Sequence, residues 1–267
     1  MRATTGLALG IALGIGLGSP ALARDLPDIK KAGRLRVVAV LEEKEPEFLS
    51  MKAGATPGFD HEILAGFCHQ HGLVLEFVLV PSWDALVPAL QAGKGDLIAG
   101  RVSDTPVRRR YADFTNEVFP TRVLVVTRSP RPAVTDAQQL AVLKVGTIPG
   151  TSMAEAVAGL GIPPQRIVPL SAGALSGALR EGRVEAAVWA VEGAILAQRK
   201  DPSLQLGVFL GPPQKLAYGL GKGQPRLLAA LNDHIRMVKQ TGAWHRLVVK
   251  YFGAAAPEIL AKARRAE

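Results

Sequence analysis

Cysteine is almost missing from this sequence: Cys68 is the only one in 267 residues, so no internal disulfide can form. It sits among apolar neighbours in a helical pattern and reads as an inert, buried thiol. Aromatic residues are scarce at 5%, and no aromatic–glycine pattern of an RNA-binding surface accompanies the basic residues. Zinc-type Cys/His spacing is absent too. His61, His69 and His71 read as surface residues of one helix, so no metal and no cofactor are expected. There is no internal repeat with a period of about 20–50 residues, which excludes a solenoid. What is present is 48% apolar and 21% charged residues, the balance of a globular chain. The formal charge is +9, but its densest run is only Arg108-Arg109-Arg110, and the other cations are spread along the whole chain. Net charge of this kind speaks to solubility rather than to fold, and nucleic acid is not an expected partner.

The N-terminus carries an export pattern. Arg2 is followed by an apolar stretch from Gly6 to about Gly18, then by Ser19-Pro20-Ala21-Leu22-Ala23, whose Ala-x-Ala ending suits a signal peptidase. The stretch is short and glycine-interrupted against the roughly 20 residues of a membrane span. The expectation is a signal peptide over 1–23, cleavage after Ala23 and a periplasmic mature chain; an uncleaved anchor is the alternative. No cysteine follows the cleavage site, so a lipid anchor is not expected.

Past the leader the pattern alternates. Leu35 to Val40 reads as a buried parallel strand, Phe59 to Gln70 as a helix stopped at Gly72, Leu73 to Val80 as a strand, Trp83 to Gln91 as a short helix, and Asp96 to Ala99 as a third strand. The pattern restarts with Val118 to Val126, a strand at Lys144 to Ile148 and a helix from Met153. Short strands at Ile167-Val168 and Val184 to Trp189 flank a helix over Ala172 to Glu181. Leu216 to Leu220 reads as a return strand, and Pro225 to Lys250 as two helices parted near Gly242. The expected class is α/β, in two units joined by more than one crossing segment with a cleft between them.

In order along the chain, Gly58-Phe59-Asp60, Trp83 to Leu90 with Gly93 to Ile98, Ser103 to Arg108 with Asp113-Phe114-Thr115, Lys144-Val145-Gly146 with Gly150-Thr151-Ser152, Gly182 to Val188, and the closing Tyr218-Gly219, Asn232 and Tyr251-Phe252-Gly253 form six blocks. Together they resemble bacterial extracellular solute-binding proteins of family 3, the amino-acid-binding components of ABC importers. The resemblance implies a two-lobed periplasmic-binding-protein fold of type II, each lobe a mainly parallel sheet flanked by helices. Lobe 1 would comprise 24–118 and 218–267, and lobe 2 would comprise 119–217. It further implies a monomeric, non-enzymatic protein that captures a small carboxylate-bearing, amino-acid-like solute by hinge closure and presents it to permease subunits.

The same resemblance assigns the ligand site. Arg108 would clamp a carboxylate with its planar fork of donors, against the plainer reading of a surface member of the basic run. Ser103 would contribute hydroxyl and backbone contacts, or be an ordinary turn serine. Thr151 and Ser152 open a helix whose N-terminus favours an anion, and Ser152 with Glu155 also reads as a capping box. Trp83 either stacks on the ligand or packs in the core. Glu42 and Glu45 fall in the first strand-to-helix loop, as ligand contacts or as solvated charges. Arg101 replaces a small residue in the pocket wall.

The sequence also departs from the family pattern. Where amino-acid binders carry an acidic residue after the strand at Val184 to Trp189, this chain has Ala190, with Trp189 beside it. Glu192, Glu42 or Glu45 supplies the missing carboxylate, or the ligand has no free ammonium, or an alkylated cation is held by Trp83 and Trp189. An exported cyclohexadienyl-dehydratase-like enzyme on the same fold and a ligand-sensing receptor component are the alternative functions.

Overall fold

The computed structural model describes residues 23–40, 47–50 and 56–265. The expected leader up to Leu22, and Glu42 and Glu45, lie outside the described residues. In chain order the first lobe holds α1 (Leu26–Ala32), β1 (Arg34–Val40), α2 (Phe59–His71), β2 (Val74–Val80), α3 (Leu86–Gln91), β3 (Leu97–Ile98) and β4 (Asp113–Phe114). The second holds β5 (Phe119–Arg128), β6 (Val145–Thr147), α4 (Ser152–Ala158), β7 (Ile167–Pro169), α5 (Leu175–Arg180), β8 (Ala186–Ala190), α6 (Val191–Lys200) and β9 (Leu204–Leu216). The chain returns to the first lobe through β10 (Gly219–Leu220), α7 (Pro225–Gln240), α8 (Ala243–Phe252) and α9 (Ala256–Ala263).

The two sheets repeat one plan. Their orders are β2-β1-β3-β10-β4 and β7-β6-β8-β5-β9. In each, four strands run in one direction and one, β10 or β5, runs antiparallel between two of them. Local chemistry explains several of the boundaries. Asp25 caps α1 by accepting from the Leu26 N–H, and Gly33 ends that helix at φ +69°. Gly72 ends α2 in the same left-handed conformation, at φ +64°.

Three expectations change. The segment expected as one helix from Trp83 begins as a 3₁₀ turn, Trp83–Ala85, before α3. The expected return strand at Leu216 to Leu220 is two elements: the 13-residue β9 in the second sheet and the two-residue β10 in the first. Pro212 and Pro213 hid β9, yet β9 lies at the edge of its sheet, where proline's missing donor is tolerated. The Ser152–Glu155 capping box does not form: Thr151 occupies the N-cap position, and its hydroxyl donates to the Ile148 carbonyl at 2.6 Å.

Two extended segments join the lobes, one between β4 and β5 and one between β9 and β10. They are bonded to each other: the Thr115 N–H donates to the Tyr218 carbonyl at 3.0 Å, and the Val118 N–H to the Leu216 carbonyl at 2.9 Å. The C-terminal helices brace the first of them. Trp244 Nε1 donates to the Val118 carbonyl at 2.7 Å, while Lys239 and Arg264 pair with Glu117 at 3.2 and 2.7 Å. An aromatic cluster fills the space beneath the crossing. The Phe48 ring lies 5.1 Å from Phe119 and 5.0 Å from Phe252, and Phe59 lies 5.4 Å from Phe119, all tilted steeply edge to face.

Candidate functional site between the two lobes

In an open α/β sheet a ligand crevice forms outside the carboxyl ends of parallel strands, where the strand order reverses. Here that point falls between β1 and β3 in one sheet and between β6 and β8 in the other. The turn after β3 carries Arg101, Ser103 and Arg108; the turn after β6 carries Thr151 and Ser152; β8 ends at Trp189 and Ala190, with Glu192 in the first turn of α6.

The clearest contact across the lobes joins two of these ends. Arg101 Nη2 lies 3.5 Å from Glu192 Oε1. The other carboxylate oxygen of Glu192 accepts the Thr121 hydroxyl at 2.7 Å, and the carboxylate is almost wholly buried. The Arg101 guanidinium also stands over the Phe48 ring, 5.7 Å from its centroid. Among the described residues Arg101 is the non-glycine residue with positive φ, at +62°, a conformation that costs a bulky side chain of the order of 1 kcal/mol or more.

Asp60 holds that turn. Its fully buried carboxyl accepts from the Tyr218 hydroxyl at 3.0 Å and from the backbone of Gly100 and Arg101. Burial pushes its pKa up from the ordinary 3.8 to about 7, against the pull of those donors. Phe48 reaches the same place because residues 47–50 bond to 57–60: the Asp60 N–H donates to the Phe48 carbonyl at 3.0 Å, and the Phe59 N–H to the Glu47 carbonyl at 2.8 Å. Gly58, at φ +103°, makes this possible, because a Cβ there would stand 2.5 Å from the Phe48 carbonyl oxygen. Phe48, Asp60, Gly100, Arg101, Phe119 and Tyr218 line a narrow space between the lobes that is too tight to admit a water molecule. A larger groove of about 670 Å³ lies among α2, α7 and α8, but none of the sequence-derived site residues lines it.

The remaining candidates do not line this space. Arg108 is half-buried; its Nη1 donates to the Ser103 carbonyl at 2.9 Å, and desolvation draws its pKa down while Asp84 opposes the shift. Ser103 pairs with Leu216 of β9 in an isolated bridge. Asp104 locks the same loop, receiving Arg109 at 2.5 Å and Lys215 at 2.9 Å. Thr151 is half-buried and Ser152 exposed. Trp83 packs on the cluster of Val38, Leu86 and Phe114. Trp189 is 9% exposed and belongs to the main apolar core, opposite Leu124 of β5, so its ring does not face the narrow space. Cys68 is buried, and burial raises its thiol to about 11.

Sequence reasoning gave no role to Asp60, Tyr218, Phe48 or Thr121. The available signals were Asp60 in Gly58-Phe59-Asp60, which reads equally well as an ordinary acidic residue in a first helical turn, and Tyr218 in the closing Tyr218-Gly219.

The pattern of bacterial extracellular solute-binding proteins, family 3, matches residues 37–254. Membrane-bound lytic murein transglycosylase F of Desulfosudis oleivorans is 27% identical over 239 residues, covering 86% of this chain and 52% of that protein. The chain spans about half the length of the lytic transglycosylase relatives it matches. A Neisseria gonorrhoeae protein named "Probable histidine-binding protein" is 27% identical, covering 82% of this chain and 84% of its own. The solved structure of an ancestral amino acid-binding protein, a precursor of cyclohexadienyl dehydratase, aligns with a TM-score of 0.68 at 25% identity over 85% of this chain and 98% of that one. With this match running through both sheets and both crossing segments, the chain belongs to the bacterial extracellular solute-binding proteins, family 3.

Proposed function

We propose that the protein is the periplasmic substrate-binding component of an ABC importer and captures a small, carboxylate-bearing, amino-acid-like solute between its lobes. The observation that carries this reading is the convergence of strand ends from both sheets on one interlobe space, with Arg101 and Glu192 meeting across it at 3.5 Å. Relatives named as amino-acid and histidine binders support the solute class. The half-desolvated Arg108 suits a carboxylate, because a guanidinium already stripped of water gains most from a bidentate anion. Thr151 and Ser152 would meet the same carboxylate from the second lobe. The two crossing segments serve as the hinge, dividing the chain into 24–118 with 218–267 and 119–217, and membrane permease subunits read the closed form. The test is a thermal-shift screen over amino acids, betaines and small carboxylic acids. A bound solute at a hundred times its dissociation constant adds about 2.7 kcal/mol of stability, and Arg108→Ala should abolish that shift. An undiminished shift in the variant removes Arg108 from the site.

One observation favours a second reading. Asp60, with a pKa of about 7 beside the cleft, has the proton affinity of a general acid or base, and an enzyme of the cyclohexadienyl-dehydratase kind needs such a carboxyl. Incubation with prephenate and arogenate decides it: an aromatic product that disappears in Asp60→Asn establishes the enzyme, and no product leaves the binding reading.

A further inference from the structure

Four strands form the edges of the two sheets, and three of them are blunted. Strand β4 has only two residues, β7 has three and ends at Pro169, and β9 carries Pro212 and Pro213 with breaks in its register. Such features keep a sheet edge from pairing with another chain. Strand β2 has none of them. It runs for seven residues, Val74-Leu75-Glu76-Phe77-Val78-Leu79-Val80, without proline, lysine or bulge, in unbroken parallel register with β1. Among the described residues no further strand pairs with its outer side, and Val74 and Leu79 are 67% and 46% exposed. The Val74 N–H donates to the Gly33 carbonyl at 2.9 Å, so strand alternation turns the backbone groups of Val74, Glu76, Val78 and Val80 toward β1. Those of Leu75, Phe77 and Leu79 point away from the sheet.

The order of these residues decides what fits there. The outward groups are centred on Phe77. A two-fold axis at Phe77 therefore pairs two antiparallel copies of β2 with every outward N–H and C=O matched, Phe77 to Phe77 and Leu75 to Leu79. Opposed side chains also match: Leu75 meets Leu79 on one face, and Val74 meets Val80 on the other. The single charge, Glu76, falls opposite Val78 rather than opposite its own copy, and Arg34 already stands 3.4 Å from it as a counter-ion. A strand of different sequence would have to reproduce this pattern, whereas a second copy contains it by symmetry. We propose that β2 is a dimer interface, through which two copies of the chain join their first sheets edge to edge about an axis at Phe77. The dimer takes the place of the monomer that the family resemblance implies. β2 lies at the opposite edge of its sheet from β4, which leads into the first crossing segment, so the second lobe stays free to move. The formal charge of +9 makes two copies repel at long range, and salt should therefore favour the dimer.

The experiment is analytical ultracentrifugation of the purified protein over a concentration series, at low and at high salt. The expected result is a mass that climbs from one chain to two as concentration rises, at lower concentration when salt is high. Val74→Lys and Leu79→Lys, both at exposed positions, should each weaken the dimer about tenfold or more, with circular dichroism confirming that the variants are folded. A cysteine pair reads the register directly. In the double variant Val74→Cys, Val80→Cys the two thiols of opposite copies face each other with Cα atoms about 4.5 Å apart, within reach of a disulfide. Mild oxidation should link that protein into covalent dimers, and either cysteine alone should not do so. A chain that stays single at every concentration and salt overturns the proposal and leaves the edge to a strand from a different protein. A dimer that keeps its affinity in both lysine variants, or that the opposed cysteine pair fails to link, overturns it as well.

Discussion

At the scale of single residues, the most informative group is Asp60. Its folded-state pKa of about 7 lies above the ordinary 3.8, so between those values the folded chain holds a proton that the unfolded chain has lost. The contribution of Asp60 to stability is therefore present below about pH 4 and lost as pH rises to about 7. Glu62, Asp104 and Glu117 are shifted the other way, downward, and their contributions are lost on acidification. The clean measurement is thus a difference: Asp60→Asn should remove a stability decline between pH 4 and 7 that the parent shows in urea melts. Parallel pH profiles for the two proteins would mean that the carboxyl titrates normally. The sequence exposed Asp60 only as the third member of a helix-opening motif. Its partner Tyr218 is 158 residues away, and nothing local announces the pairing. Arg108, by contrast, could be singled out because its surrounding residues are contiguous in the chain.

At the scale of elements, the first lobe depends on Asp96, whose buried carboxylate binds Arg24 at 2.6 Å, Arg36 at 3.0 Å and the Arg36 N–H at 2.8 Å. It ties the segment ahead of α1 and the strand β1 to the turn before β3. Asp96→Ala leaves two half-buried guanidinium groups unpaired and should cost about 3 kcal/mol in chemical denaturation. At the crossing, Phe252→Ala removes a ring packed against Phe48, Phe59 and Phe119. Its expected cost is about 3–5 kcal/mol by the same measurement, as for other buried aromatic truncations. Elements with a strong period or clear stop signals were legible: β1, α2 with its Gly72 cap, and the boundary of α8 at Gly242. Helix α6 was not, because Val191 to Ala197 are all buried, and a helix covered on every side shows no amphipathic stripe. Strand β9 was hidden by prolines that only an edge position tolerates.

At the scale of the whole molecule, several hydrogen bonds among the described residues tie the second sheet's elements and the crossing segments to the C-terminal helices. Arg199 donates to the Tyr251 carbonyl at 2.6 Å, Arg122 to the Arg265 carbonyl at 2.8 Å, and Trp244 to the Val118 carbonyl at 2.7 Å. Opening should therefore rotate the lobes about the two bonded crossing segments rather than separate them. A bound solute should reduce the radius of gyration in scattering, and a radius unchanged by saturating ligand would rule out hinge closure.

The sequence by itself determined the alternation of strands and helices in two units, the six ordered blocks of the family and the expectation of an exported chain. Each of these is written in neighbouring residues. Only the tertiary structure decided that Arg101 meets Glu192 across the cleft, that Asp60 holds the Arg101 turn and that Trp189 turns into the core. Burial and charge pairing between distant segments set those outcomes, and neither has a period or a spacing along the chain.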